Sequence, residues 1–365
     1  MKHVDEYRDA TLAKALIEKI HRTVTRPIRL MEICGTHTMA IFRHGIRSLL
    51  PDTVDLVSGP GCPVCVTAME EVDRSIKLAE YPDLILTTFG DMLRVPGSSS
   101  SLDQEKGKGA DVRMVYSTFD AIQIAEQCPD KEVVFLGIGF ETTAPTVAAA
   151  IAAARQRGLS NFSVLSAHKL LPPAMHALLD AGDIPIDGFI CPGHVTTIIG
   201  TSAYKRVVAE YAIPCVVVGF EPIDILQGIL MLAEQVEEGR AAVEIQYTRG
   251  VSEEGNQAAL KLMERVFEPC DAPWRGLGLI RQSGLAIRKP YGSCDAATRF
   301  DVSVPPAEEP PGCLCAQVLR GAVRPPDCRL FRRVCSPRTP IGPCMVSSEG
   351  TCAAYFKYHD ADQDL

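Results

Sequence analysis

The stretch Val133–Pro145, VVFLGIGFETTAP, decides how the chain is read. Its first six residues are a short apolar run of strand character, Val133–Ile138. Gly139 ends the run, and Thr143–Arg157 then carries the apolar spacing of an amphipathic helix. The same succession recurs along the chain. Further short apolar runs are Ile28–Ile33, Val54–Val57, Leu84–Thr88, Val112–Tyr116, Phe162–Leu165, Ile186–Ile190 and Cys215–Val218. Amphipathic stretches at Thr38–Leu50, Val66–Glu80, Ala121–Glu126, Pro172–Ala181 and Ile223–Glu238 lie between them. Strands alternating with helices predict parallel sheets joined by crossover helices.

Eight strands fill one sheet or two, and two are favoured. Ser98–Gly109 (SSSSLDQEKGKG) reads as a polar loop, and GFETTAP at Gly139–Pro145 is echoed by GFEP at Gly219–Pro222. The expected organisation is α/β, with two Rossmann-like parallel-sheet domains at residues 25–130 and 131–238. A leading helix from Asp5 to about Thr23 and the segment after Gly239 are assigned to a third, smaller, mainly irregular and helical domain, residues 1–24 and 239–365. Within that tail only Gly255–Val266 has helical periodicity. A segment with so little apolar pattern builds no large core and needs a metal or another staple.

The bulk numbers narrow the function. The chain has 365 residues, 46% hydrophobic and 22% charged, enough to bury real cores. A net charge of −8 argues against nucleic acid or an anionic membrane as the main partner. No apolar run reaches the length of a membrane span, and MKHVDEYRDATLAK at the start lacks a signal-peptide core, so a cytoplasmic protein is expected. Fourteen cysteines in a reducing compartment then need a reason other than disulfide stapling. Cys128 and Cys215 read as small buried hydrophobes. Nine others cluster at Cys34–Cys65 and Cys313–Cys352, the mark of metal or redox chemistry.

Unusual short motifs follow nearly every expected strand: Cys34-Gly-Thr-His37, GPGCPVC at Gly59–Cys65, Phe89-Gly90-Asp91, Gly139-Phe-Glu-Thr142, Ser166-Ala-His168 and Pro192-Gly-His194. Ligands of open α/β sheets bind at the carboxyl ends of strands, so these loops should converge on one or two clefts. Cys34 falls at a strand-to-helix turn, where backbone N–H groups and the helix dipole lower a thiol pKa. His37 is then placed to hydrogen-bond the thiolate or ligate the same metal. Cys62 and Cys65 form Cys-x-x-Cys with Pro63 inside; with no second pair nearby in sequence, a redox pair is preferred over structural zinc. Lone histidines are more often structural groups than ligands; His194, beside Pro192, Gly193, Thr196 and Thr197, is the most evenly balanced. Gly137-Ile-Gly139 lacks the third glycine of a dinucleotide fingerprint and Glu141 occupies the phosphate position, which argues against a nucleotide site.

Six cysteines crowd the tail: Cys313, Cys315, Cys328, Cys335, Cys344 and Cys352. Irregular loops of this kind hold iron–sulfur clusters through four thiolates, whereas zinc favours close pairs, and only Cys313 and Cys315 are close. An iron–sulfur cluster is therefore preferred. Composition does not choose the four ligands.

These motifs together resemble the HypD family of nickel–iron hydrogenase maturation proteins. The stretches that carry the resemblance are MEICGTHTMAIFRHG (Met31–Gly45), GPGCPVC, FGDMLRVPG (Phe89–Gly97), GFETTAPT (Gly139–Thr146), PGHVTTIIG (Pro192–Gly200), GFEPIDILQG (Gly219–Gly228), WRGLG (Trp274–Gly278) and MVSSEGTC (Met345–Cys352). The resemblance implies a scaffold on which the Fe(CN)2CO centre is assembled, with a HypC-type chaperone and a HypE-type cyanide donor as partners. It implies that Cys34 holds the iron, that Cys62 and Cys65 are a redox pair, and that Cys315, Cys328, Cys335 and Cys352 bind a 4Fe-4S cluster. Cys313 and Cys344 fall outside that spacing. Whether such a scaffold is itself an enzyme is left open. The competing expectation is a stand-alone iron–sulfur thiol–disulfide reductase, which has no need of a third thiol at Cys34.

Overall fold

The computed structural model describes residues 9–182 and 184–359. The expected α/β architecture is present, with two all-parallel sheets. One has five strands: β1 (Ile28–Glu32), β2 (Val54–Ser58), β7 (Gly188–Pro192), β8 (Cys215–Val218) and β9 (Val243–Ile245), in the order β2-β1-β7-β8-β9. The other has four: β3 (Leu84–Thr88), β4 (Asp111–Met114), β5 (Glu132–Gly137) and β6 (Phe162–Ser166), in the order β4-β3-β5-β6.

Both sheets are covered on both faces, as parallel sheets require. In β1, Leu30 packs to one side with Leu56, Ile190, Val216 and Ile229, while Met31 packs to the other with Val57, Phe189, Cys215 and Tyr204. The period-two alternation of a strand produces that division. In the second sheet Val133 and Phe135 face Val147 and Ile151 of the helix Ala144–Gln156, and Val134 and Leu136 face Val72 and Ile76 of the helix Met69–Ala79.

The division of the chain at residue 130 does not follow the sheets. After β2 the chain leaves the first sheet through the Cys-x-x-Cys loop, builds all of β3–β6, and returns at β7, whose Leu30↔Gly188 register sets it beside β1. The strands on either side of residue 130 pair directly, Leu84↔Glu132 through Thr87↔Phe135. The N-terminal helix, Ala10–Thr23, also departs from expectation. It lies on the helix Pro222–Glu237 of the first sheet's layer, where Ile20 joins the core and Lys19 Nζ meets Glu234 at 2.8 Å. The expected helix start at Asp5, and residues 1–8 and 360–365 of the expected third domain, lie outside the described residues.

Smaller differences have local causes. The helix expected over Thr38–Leu50 is Gly35–Arg43, a turn at His44–Gly45, and a short 3-10 turn at Ile46–Leu49. The polar Ser98–Gly109 stretch contains a helix, Leu102–Gly107, started by the Ser101 hydroxyl accepting from Gln104 N–H. Past Gly239, an antiparallel hairpin joins β10 (Phe267–Trp274) to β11 (Gly278–Ile287). Pro269 and Pro273 inside β10 hide it from a sequence reading. Among the described residues no helix is long and apolar enough to cross a membrane.

One buried ion pair fixes the Cys-x-x-Cys side of the molecule. Lys169, just past β6, is buried, and its Nζ lies 2.5 Å from Glu71 Oε1 on the helix Met69–Ala79. Glu71 Oε2 accepts from Ala68 N–H at that helix's start. Burial pushes the Glu71 carboxyl up, against the opposing pull of the Lys169 ammonium. Lys169→Met should cost about 3–5 kcal/mol, because a buried carboxylate loses its partner. Adding Glu71→Leu should recover most of that loss. Denaturant midpoints of the single and double variants check both outcomes.

Candidate functional site

Cys34 caps the helix Gly35–Arg43 at the end of β1, and Cys62 caps the one-turn helix Pro63–Val66 that follows β2. Because β1 and β2 are parallel neighbours, with Glu32 opposite Ser58, their loops leave the sheet side by side. Gly59 N–H donates to Glu32 C=O at 2.8 Å, and Gly35 N–H donates to Gly61 C=O at 3.1 Å. Gly61 lies directly on the Cys34 backbone: a Cβ there would fall 2.1 Å from Cys34 N and 2.4 Å from Cys34 Cα. Only glycine permits that approach.

The sulfurs of Cys62 and Cys65 lie within disulfide-forming distance, with Cα atoms 5.2 Å apart. Cys65 N–H donates to Cys62 Sγ at 3.2 Å, and Cys62 Sγ lies 3.3 Å from Ser347 Oγ. Cys34 is a free thiol, only 3% exposed. The expectation of a lowered thiol pKa is overturned. Burial first, and the Glu349 carboxylate second, push Cys34 up to about 12, against hydrogen bonds from the His37 and Thr36 backbone. Helix-terminal polarity stabilises an exposed thiolate; here loss of water outweighs it.

A C-terminal segment closes this side of the site. Glu349 Oε1 accepts from Thr36 Oγ1 at 2.6 Å, and its backbone lies so close to Gly35 that a Cβ on Gly35 would meet Glu349 O at 2.6 Å. Asp91, from the Phe89-Gly90-Asp91 motif, accepts from Ser347 Oγ at 3.2 Å, Ser348 N–H at 3.0 Å and Ser348 Oγ at 3.1 Å. Four separate stretches thus meet: 34–37, 59–65, 89–91 and 347–350. Glu349 and Ser347 were not singled out from the sequence, and Asp91 only as part of the Phe89-Gly90-Asp91 motif. The visible signal was the polar Ser-Ser-Glu run wedged between buried Met345-Val346 and Thr351.

The His37 Nε2 is turned toward the Val218–Gly219 strand end, and its Nδ1 is buried without a partner among the described residues. Its Nε2–H donates to the carbonyls of Gly219 at 2.8 Å and Val218 at 3.2 Å, and the ring stacks on Phe220 with centroids 4.7 Å apart. Burial lowers the His37 pKa to about 4. His194 meets the other side of the same environment, edge-on to Phe220 at 5.0 Å, and burial holds it at about 4 as well. Both histidines stand where β1 and β7 diverge, the point at which strand order reverses.

The six tail cysteines come together. Cys313, Cys315, Cys328, Cys335, Cys344 and Cys352 all line one pocket, with Leu330, Phe331 and Met345 filling the gaps. Backbone N–H groups aim at their sulfurs: Ile341 N–H at Cys335 Sγ (3.5 Å) and Cys352 N–H at Cys344 Sγ (3.3 Å). Burial, with Cys315 close by, pushes Cys313 up to about 12. The hydrogen bond with Cys344, then burial, raises Cys315. Six thiols around one pocket supply enough donors for the four thiolates that an iron–sulfur cluster takes. Cys313 and Cys344 share the pocket with the four expected ligands.

The Gly61 contact yields a direct test. Gly61→Ala must drive a methyl group into the Cys34 backbone and separate the two loops. We expect alkylation of Cys34 by iodoacetamide to accelerate about tenfold or more, as a buried thiol gains solvent, while far-UV circular dichroism stays unchanged. Quantitative mass spectrometry of the Cys34 peptide reads the rate.

A family model described as HypD, hydrogenase formation hypA family, matches residues 11–359. The chain is 49% identical to hydrogenase maturation factor HypD2 of Bradyrhizobium diazoefficiens, covering 98% of this chain and 97% of that protein. It is 46% identical to hydrogenase maturation factor HypD of Cupriavidus necator, with coverage of 98% and 97%. A putative hydrogenase expression/formation protein of Methanocaldococcus jannaschii is 44% identical over 96% of this chain and 98% of its own length. With the family model spanning nearly the whole chain, and relatives near half identity from end to end, the chain belongs to the HypD family of hydrogenase maturation factors.

Proposed function

We propose that this chain is the scaffold on which an iron carrying cyanide and carbon monoxide is assembled for nickel–iron hydrogenase, working with a HypC-type chaperone and a HypE-type cyanide donor in the cytoplasm. The observation that carries this reading is the contact of the Gly61 loop with the Cys34 backbone, which brings a lone thiol and the Cys62/Cys65 pair to the same strand ends. The iron is cargo, and Cys34 is its anchor on this chain; soft thiolate suits iron bearing strong-field ligands. Cys62 and Cys65 are the redox pair: two electrons and two protons convert their bond to two thiols. His37 is a positioning residue. Its ring ties the first turn of the helix after Cys34 to the Val218–Gly219 strand end, so the thiol is held by backbone rather than by the imidazole.

Cys315, Cys328, Cys335 and Cys352 would hold the 4Fe-4S cluster, which supplies one electron at a time when bound. Cys344 is a buried thiol beside them, and Cys313 sits nearer the surface. A plain thiol–disulfide reductase would use the pair and the cluster but would leave Cys34 and the Glu349–Thr36 contact without purpose.

Two measurements test this. Cys34→Ser keeps the size and removes the soft ligand, so the variant should retain its brown colour and cooperative unfolding. In complex with the HypC-type partner it should lose the cyanide and carbonyl infrared bands. Full-strength bands in that complex would move the anchor to another residue. Second, anaerobic iron and acid-labile sulfide analysis should find about four of each per chain, as the cluster type requires. Cys315→Ala should abolish both and lower the melting temperature, because metal binding and folding are coupled. Cys344→Ala should keep both.

A further inference from the structure

The pocket of six thiols lies under a face whose charge is opposite to that of the chain. The net charge is −8, yet Arg320–Arg338 contains six arginines and one carboxylate, Asp327. Residues 328–335 form a compact turn, with Phe331 N–H on Cys328 C=O at 2.9 Å and Cys335 N–H on Leu330 C=O at 2.9 Å. That turn sends Cys328, Leu330, Phe331 and Cys335 to the pocket and leaves Arg329, Arg333 and Val334 in solvent. Val334, 56% exposed, is an apolar centre with arginine on its flank. Arg94 donates to Pro337 C=O at 3.1 Å, which brings a further exposed guanidinium next to Arg338.

Five of these six arginines divide into two kinds. Arg324 is paired with Asp55 at 2.6 Å. Arg332 is turned inward, donating to the carbonyls of Tyr355, Phe356 and His359 and lying over the Phe331 ring at 5.4 Å. Among the described residues Arg329, Arg333 and Arg338 have no carboxylate partner, although their guanidinium groups are exposed. Asp327, the one carboxylate of the segment, is taken by Arg324 N–H at 2.7 Å. A protein that is acidic overall would gain solubility from carboxylates here as elsewhere. A cationic face with an apolar centre is instead the composition of a docking surface, where arginine is enriched and complementary charge steers encounter.

We propose that the Arg329–Arg333–Arg338 face docks an acidic one-electron carrier protein. The inference rests on the reading of the six-thiol pocket as an iron–sulfur site, directly beneath the face. The carrier would give up one electron per encounter, and Cys315, Cys328, Cys335 and Cys352 would hold the iron–sulfur group that supplies one-electron chemistry there. Two encounters, with two protons from solvent, match the demand of the Cys62–Cys65 bond in becoming two thiols. The overall negative charge of the chain orients the approach, since an acidic carrier is repelled elsewhere and attracted here.

The test is a binding titration of the full chain, purified anaerobically, against an acidic two-iron ferredoxin, with cytochrome c and a single-stranded DNA 20-mer as alternative probes. Ferredoxin should bind at low ionic strength and weaken about tenfold or more on raising salt to 0.2 M. Arg329→Glu/Arg333→Glu/Arg338→Glu should weaken it by at least about tenfold, while Arg281→Glu, on the β10–β11 hairpin outside that segment, should change it less than twofold or so. Circular dichroism and iron content of the triple variant establish that fold and pocket are intact. No salt-sensitive binding, equal binding of cytochrome c, tighter binding of the oligonucleotide, or an unaffected triple variant would each overturn the proposal. Absence of iron and sulfide in the parent chain would instead overturn the cluster reading and leave the docking result to stand by itself.

Discussion

The approach of Gly61 to the Cys34 backbone is the constraint on which the rest of the site depends. Two parallel neighbouring strands deliver their loops to the same end of a sheet, but that alone leaves the loops separated by their side chains. The absence of a Cβ at Gly61, with the Gly35 N–H to Gly61 C=O bond, removes the separation. The same absence at Gly35 admits Glu349 from the opposite side. A lone thiol, a close cysteine pair and a carboxylate are thus gathered by backbone contacts. Such contacts hold position more firmly than flexible side chains, which is how a preorganised constellation is kept in place.

Around that constraint the protein spends buried charge. Arg275 has its side chain wholly enclosed: Nε donates to Thr67 C=O at 3.0 Å, Nη1 meets Glu309 at 2.6 Å, and its backbone N–H donates to Val66 C=O at 2.9 Å. Its neighbour Trp274 bridges to Thr67 and donates Nε1–H to Ser283 Oγ at 2.9 Å. The β10–β11 hairpin therefore grips the turn that follows Cys65. Lys169 and Glu71 hold the next helix from the other sheet. Buried ion pairs contribute little net stability, and their well-attested use is to specify one arrangement among many. Here the arrangement specified is the placement of Cys62 and Cys65.

Much of this was legible in the sequence. Alternating apolar runs gave the parallel sheets, because a strand buried on both faces leaves an unbroken apolar signature. Motifs at strand ends located Cys34, Cys62 and Cys65, because parallel topology sends those ends to one side. Sheet membership was not legible: nothing local in β7 states that it pairs with β1 across more than a hundred residues. The hairpin was hidden by Pro269 and Pro273. The state of Cys34 was misread because the helix terminus is a local feature whereas burial is a tertiary one, and burial won. The partners of the His37 Nε2 were hidden for a similar reason. Its partners, the carbonyls of Val218 and Gly219, lie about 180 residues away and belong to the backbone, which leaves no mark in side-chain spacing. Glu349 was overlooked because its significance lies in Gly35, whose missing Cβ makes the space it fills.

The two sulfur sites share one dry core. Cys62 and Cys65 pack with Cys315, Cys344, Phe140 and Trp274 in a single apolar cluster, with Val318 and Leu319 completing it. A bare thiolate in such surroundings is costly, as the raised Cys313 and Cys315 thiols already show. Any change of charge at one sulfur site must be compensated nearby by a proton or a cation, because water is not there to do it. Ser347 stands at that junction. Its Oγ lies 3.3 Å from Cys62 Sγ and donates to Asp91, and Asp91 also takes Ser348 N–H near the surface. The hydroxyl and the half-exposed carboxylate form a short polar chain leading from the buried pair toward solvent. Asp91 therefore joins the second sheet to the chemistry of the first, and the strand-end motif that carries it has a reason to be polar where its neighbours are apolar.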